Sequence, residues 1–338
     1  MHAQQQQIQQ QAEAPEMALG QDASTPPPQH PRLAELVSSA RRLAAGRQPV
    51  VALVYPCDAL ALEAAREMAR AGIARPLLVG PRAGIEQAAA QAGIDIGDWP
   101  LEDVADPPAD AARRACELVR AGRAQVLMKG SLHTDALMSA LVDRGHGLRG
   151  RRRISHLFLF DLPRYPQLLG VADCVVNIAP DLTTKADILS NALEVLHTLG
   201  VSQPRVGIVA AVETVNPAIP ATVDAHALVE RSRAGEWPGA IIDGPFGFDN
   251  AISAAAAHTK HIDSPVCGHA DLLLVPDLNA GNMLYKSFVY IGGGECAGIV
   301  LGAQVPVVLT SRADSLVSRI ASVALAVLAT ASPSTTVG

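Results

Sequence analysis

From about residue 50 onward the chain alternates short aliphatic runs with longer stretches whose apolar positions recur every three to four residues. The runs at 50–54, 76–80, 125–128, 154–160, 174–178, 205–212, 240–242, 271–275, 299–301 and 305–309 read as strands. The stretches between them carry helical periodicity, so the period switches repeatedly between two and 3.6. One helix is predicted from about Asp58 to Ala71. Another, over 184–199, shows its full grammar: Thr183 or Thr184 at the start, Ile188, Ala192, Val195, Leu196 and Leu199 on one face, and Gly200 as the stop. A chain of strand–helix units of this kind predicts an α/β fold built on a parallel sheet.

Composition narrows the picture. Aromatic residues make up 3% of the 338 and aliphatic ones dominate a 49% hydrophobic content, which suits helices on a buried sheet better than a β-sandwich. A net charge of -6 leaves no general electrostatic footprint for nucleic acid or an anionic membrane. Residues 1–31, rich in Gln, Ala and Pro, are expected to be a disordered tail and lack the pattern of a secretory signal. The apolar stretch at 320–331 is too short to span a bilayer and reads as a core helix. Five cysteines with no close pairing fit reduced thiols in the cytoplasm.

Candidate chemistry collects at strand ends. The 305–309 run is followed by Thr310, Ser311, Arg312 and Asp314, and in open α/β sheets ligands gather just beyond the carboxyl ends of such strands. Lys129, Gly130, Ser131, His133, Thr134 and Asp135 follow the 125–128 strand and open a helix, where backbone donors can meet an anion. Gly281 and Asn282 begin a predicted helix with Leu284, Phe288 and Ile291 on its apolar face and Lys286 opposite; Asp243 ends the 240–242 strand. Each has a plainer reading as well. Ser311, Asp314 and Asn282 serve equally as helix caps, Asp243 as a turn former, and His133 as a structural histidine beside a helix start.

In this order, the Lys129–Asp135, Asp243-Gly244-Pro245, Asp249-Asn250-Ala251, Ala280–Lys286 and Val305–Ser315 motifs resemble the phosphate acetyltransferase and phosphate butyryltransferase family, the butyryl-type branch most. The resemblance runs from about residue 50 to 329. It implies an isocitrate/isopropylmalate-dehydrogenase-like architecture: a first domain of 32–150 plus 292–338, a second of 151–291, and a cleft between them. It also implies a homodimer that transfers a short acyl group reversibly between coenzyme A and phosphate in a ternary complex, both being substrates, with no cofactor and no metal. Ser311 and Arg312 would stabilise charge in the transition state, with Asp314 as base or as a group orienting Arg312. Lys129, Ser131, His133, Thr134, Asp243, Gly281, Asn282 and Lys286 would line the substrate site. Deprotonating a free thiol of pKa about 8.5 costs roughly 2 kcal/mol at pH 7, whereas a missing oxyanion donor costs about 2.7 to 4 kcal/mol, so charge stabilisation should outweigh base strength.

Two rival functions stay open. A nicotinamide-dependent hydroxy-acid dehydrogenase would share the implied architecture, and a non-catalytic acyl-CoA-sensing module would share the fold without the chemistry. Gly292-Gly293-Gly294-Glu295-Cys296-Ala297 matches a dinucleotide fingerprint in letters, but it should follow a strand and start a helix, and here a helix is predicted before it. His258, His261, Cys267 and His269 match no closed zinc spacing. The arginines at 149 and 151–153 read as a solvated loop or as a grip on coenzyme phosphates.

Overall fold

The computed structural model describes residues 30–331 apart from Arg312. The expected tail therefore lies outside the described residues except for its last two, and Pro31 already opens a helix. Eleven strands form one sheet: β1 Val50–Val54, β2 Arg75–Gly80, β3 Leu101–Asp103, β4 Val126–Lys129, β5 Ser155–Asp161, β6 Leu169–Ala172, β7 Arg205–Val209, β8 Ile241–Phe246, β9 Leu272–Leu274, β10 Glu295–Leu301 and β11 Val307–Val308. Their order is β3-β2-β1-β4-β11-β10-β5-β6-β9-β7-β8. Most pairs are parallel, as the alternating pattern predicts, but β10 runs antiparallel to both neighbours and β5 antiparallel to β6. The late chain thus re-enters the middle of the sheet, where β11 pairs with β4.

The helices are α1 Pro31–Ala44, α2 Ala59–Arg70, α3 Arg82–Ala92, α4 Pro108–Arg120, α5 Thr134–Leu141, α6 Leu182–Thr198, α7 Pro220–Arg233, α8 Phe248–Ile252, α9 Ala254–Thr259, α10 Leu278–Tyr290 and α11 Leu316–Ala329. The apolar 320–331 stretch is a core helix: in α11 the run from Val323 to Val327 is fully buried, against Leu33, Leu36 and Ala40 of α1 among others. Side chains that short let the helix lie close to the sheet. The few aromatics are concentrated elsewhere. All five phenylalanines fall in one cluster with Tyr285, whose ring stacks on Phe158 at 4.5 Å and 5°.

Two of the expected strands differ most from the sequence reading, and β3 lies where no strand is expected. The strand expected at 174–178 is a turn, because the buried carboxylate of Asp173 accepts the N–H groups of Val175 at 2.8 Å and Val176 at 2.9 Å and the side-chain amide of Asn177 at 2.7 Å. Side-chain acceptance of successive N–H groups outcompetes a ladder there, and the strand falls one step earlier, at β6. The 305–309 strand shrinks to the two residues of β11. By contrast, the 184–199 helix is present, with Asp181 rather than a threonine as its cap: its carboxylate accepts from Thr184 N–H at 2.8 Å.

The start of α1 is held from across the chain. The carboxylate of Asp161, 2% exposed, accepts the backbone N–H of Arg32 at 2.8 Å and its guanidinium at 2.5 Å, serving as a remote cap and an ion pair together. Replacing Asp161 by Ala leaves these donors unmet. We expect Asp161→Ala to destabilise the protein by about 2 kcal/mol in urea titration, since a helix cap and a charged hydrogen bond to a part-exposed arginine are lost together. Hydrogen exchange in α1 should accelerate first, and unchanged protection in α1 would refute this role.

Candidate active site

Parallel pairing of β4 with β11 sends both chains out of the sheet at the same end. After β4 the chain passes Gly130, where a Cβ would come within 2.6 Å of the carbonyl oxygens of Val54 and Tyr55; only glycine permits this approach. The turn is stitched to β1: Gly130 N–H donates to Val54 O and Ser131 N–H to Tyr55 O, each at 2.9 Å. The Ser131 hydroxyl donates to Tyr55 O at 2.8 Å and accepts Cys57 N–H at 3.2 Å. Lys129 Nζ curls over the turn toward the carbonyls of Gly130 and Leu132 at 3.1 and 3.2 Å.

A cleft of about 160 Å3 opens beside this turn, lined by Asp58, Leu60, Ala61, Lys129–Thr134, Thr310, Ser311 and Arg319. Its volume is that of about five waters, enough for a small anion and the end of a thioester but not for a whole coenzyme. Two helices start at its wall. Asp58 caps α2 through Ala61 N–H at 2.8 Å, while α5 begins after His133 with no side-chain cap, which leaves N–H groups and the positive end of the helix facing the cleft. A larger hollow of about 220 Å3 lies at the amino end of β2, around Arg75, Trp99 and Pro100, and contains none of the residues singled out by sequence.

The opposite wall is the turn from Thr310 to Asp314. Asp314 Oδ2 accepts Ser311 N–H at 2.7 Å and its Oδ1 accepts the Tyr285 hydroxyl at 3.3 Å. Burial pushes the Asp314 carboxyl above its ordinary pKa, with Glu295 adding to the rise, against the pull of Ser311 N–H, Arg319 and Tyr285. Neither Ser311 nor Asp314 caps the last helix. Ser315 does, through Ser318 N–H, while Glu295 accepts the hydroxyls of Ser315 and Ser318. Arg312 lies outside the described residues.

The structure therefore brings Lys129, Ser131, His133, Thr134 and Ser311 to one cleft, with Asp314 immediately behind Ser311. The other sequence candidates sit elsewhere. Gly281 lies inside α10, which starts at Leu278 under an Asp277 cap; its missing side chain lets the helix touch Asp173 O, 2.5 Å from an ideal Cβ. Asn282 donates to Cys174 O at 3.4 Å, and Lys286 is exposed. Asp243 is on β8, the outermost strand and seven places from β4. The arginines at 149–153 precede β5, at the amino end of β4, away from the cleft. Gly292–Ala297 follows a helix and enters a strand, the reverse of a dinucleotide site. Among the described residues no three His, Cys, Asp or Glu side chains gather as a metal site.

Sequence reasoning missed Arg319, Tyr285 and Asp58. Arg319 had a visible signal, a lone cation at the edge of an apolar helix. Tyr285 had none, since its contact to Asp314 spans 29 residues. Burial raises all five cysteine thiols, Cys57 and Cys116 to about 11, so none is held as a ready nucleophile.

The family model described as phosphate acetyl/butaryl transferase matches residues 99–327. A phosphate acetyltransferase of Rhizobium meliloti is 46% identical over 303 residues, covering 89% of this chain and 94% of that one. A phosphate butyryltransferase of Clostridium beijerinckii is 38% identical over 281 residues, covering 83% and 93%. Among solved structures, a branched-chain phosphotransacylase from Enterococcus faecalis V583 superposes with a TM-score of 0.74 at 28% identity, over 84% of this chain and 99% of that one. With the motifs in order and the match running across both walls of the cleft, the chain belongs to the phosphate acetyl/butaryl transferase family.

Proposed function

We propose that this protein transfers a short-chain acyl group reversibly between coenzyme A and inorganic phosphate. The observation that carries the reading is the meeting of the Lys129–Thr134 turn, an uncapped helix start and Ser311 at one small cleft. Phosphate sits against Lys129 and the start of α5, and one of its oxygens attacks the thioester carbonyl. Charge developing on the carbonyl oxygen is met by the Ser311 hydroxyl and by Arg312, the latter assigned from the family resemblance. Monohydrogen phosphate brings one proton and the departing thiolate takes one up, so atoms and charge balance without a covalent enzyme intermediate. Asp314, poised by burial and within reach of this turn, is the group to relay that proton. Direct transfer draws its advantage from holding both substrates at once.

The strand order supports division into a first domain of 32–150 plus 292–338 and a second of 151–291. The strands from β3 through β10 in that order come from the first, and β5 through β8 from the second. A homodimer is supported by the apolar side chains left uncovered on and beside α10: Met283 at 64%, Tyr290 at 66%, Ile291 at 86% and Ile178 at 73% exposure. Among the described residues no helix is long and apolar enough to cross a membrane, and the substrates and unpaired cysteines favour the cytoplasm.

Acetyl-, propionyl- and butyryl-CoA should each release thiol only when phosphate is added, and the ranking of the three reads out acyl preference. Ser311→Ala should lower kcat by about 100-fold, the scale of a lost oxyanion donor. Release that ignores phosphate, or none at all, sinks the reading. An absorbance change at the reduced nicotinamide band on adding hydroxy acid would favour the dehydrogenase instead.

The raised Asp314 pKa gives a second test. If the carboxylate form is the active one, the acid limb of kcat/KM lies above the ordinary aspartate value and disappears in Asp314→Asn. Because the native state holds this proton more tightly than the unfolded chain, ionised Asp314 costs stability at pH values above its raised pKa, and the cost fades as pH falls to the unfolded value. Asp314→Asn should accordingly melt no lower than wild type near pH 7.5 and lose any advantage near pH 4. An acid limb shared by both proteins would exclude Asp314 as the titrating group.

A further inference from the structure

The cleft has a cation that the acyl-transfer chemistry described above leaves unused. Arg319, in the first turn of α11, is 5% exposed and yet lines the cleft opposite the Lys129–Thr134 turn. Its guanidinium grips the far wall at three points: Nε donates to Asp314 O at 3.3 Å, one terminal nitrogen to the Thr310 hydroxyl at 3.2 Å, and the other to Ser311 O at 2.5 Å. All three acceptors are uncharged. Among the described residues Arg319 forms no ion pair with a carboxylate, and the Asp314 carboxylate is turned to Ser311 N–H and the Tyr285 hydroxyl. The Asp314 carboxylate charge acts on Arg319 without a direct contact, so its bonded partners are all neutral and a cleft anion would add the direct ionic partner it lacks. The adjoining cleft is where an anion can arrive. Asp58, the carboxylate on the opposite wall, is engaged in capping α2.

We propose that Arg319 is the phosphate-positioning residue of this site: its fork fixes the Thr310–Asp314 turn, and its charge sets the affinity for the phosphate that enters beside it. The inference rests on the proposed acyl transfer and adds to it a residue on a different element from Lys129. A fork with five donors can hold three protein acceptors and still direct positive charge into the cleft, which a lysine cannot do in the same geometry. The turn it holds carries Ser311, so phosphate position and oxyanion stabilisation are coupled through one guanidinium.

The test uses the full chain with inorganic phosphate as the probe, varied at saturating acyl-CoA and then the reverse. Arg319→Met should raise the phosphate KM by about 10- to 100-fold, the effect of removing a charged donor, while the acyl-CoA KM stays within about twofold. Phosphate should raise the melting temperature of wild type and, at the same concentration, that of Arg319→Met far less. Arg319→Lys, which keeps charge but not the fork, should recover most of the phosphate affinity with a lower kcat. Equal rises in both KM values would mean a merely structural clasp and overturn the proposal, as would a wild-type phosphate KM and thermal shift in Arg319→Met. Should the Met variant fail to fold, Arg319→Lys decides: a phosphate KM and kcat unchanged from wild type overturn the idea. A wild type that releases no thiol on adding phosphate refutes acyl transfer itself, while the thermal shift still decides whether Arg319 holds the anion.

Discussion

The pairing of Val307–Val308 between β4 and β10 is the constraint on which the cleft depends. These two residues run parallel to Leu127 and Met128, with a single antiparallel pair, Val300 to Val307, on the other side. Because the first pairing is parallel, Lys129 and Thr310 leave the sheet in the same direction, and the Thr310 hydroxyl reaches Lys129 O at 3.5 Å although 181 residues separate them. So short a strand has few ladder bonds of its own. It is kept in place by what flanks it, chiefly α11, which follows with Val323–Val327 fully buried and leans on β10. The site is therefore a product of the late chain returning to the centre of the sheet, and such non-local closure must come before any local chemistry.

Electrostatics then shapes what the closure has made. One wall offers Lys129 and the start of α5; the other offers Arg319 behind a turn whose acid, Asp314, is balanced between opposing influences. Burial and Glu295 favour its neutral form, and Ser311 N–H, Arg319 and Tyr285 favour its charged form. A carboxyl under such balance changes protonation when a nearby charge changes, as when phosphate arrives or a thiolate departs. Burial dominates at all five thiols, and Cys57, the least buried of them, is pushed further by Asp106 and Asp58.

Most of the sheet and both walls of the cleft were legible in the sequence for one reason: polar residues placed just after an aliphatic run mark a strand end, and strand ends are where α/β sheets expose functional groups. Lys129 at the end of β4 and Ser311 just after β11 follow that rule. Contacts set by packing across long separations left no local trace. The antiparallel course of β10 depends on β5 and β11 as partners, not on its own pattern, and Tyr285 gains its meaning only when α10 is docked against Phe158. The turn after β6 misled for the opposite reason, since Val175, Val176 and Ile178 look like a strand while Asp173 takes up the N–H groups of Val175 and Val176. Arg319 was passed over because an arginine in a helix is ordinarily a solvated one, and only the tertiary fold buries it.

Acyl transfer to phosphate has to succeed against water, which is everywhere and reacts with the same carbonyl. A cleft with the volume of about five waters cannot exclude water by size alone. Its selectivity has to come from charge. On the proposed assignment a phosphate dianion would gain from Lys129, Arg319 and the α5 start together, whereas a neutral water would gain almost nothing from any of them, and each such interaction strengthens where solvent is scarce. The attraction that binds the nucleophile is thus also what chooses it, and weakening the anion-binding walls should cost fidelity to phosphate before it costs reactivity of the thioester.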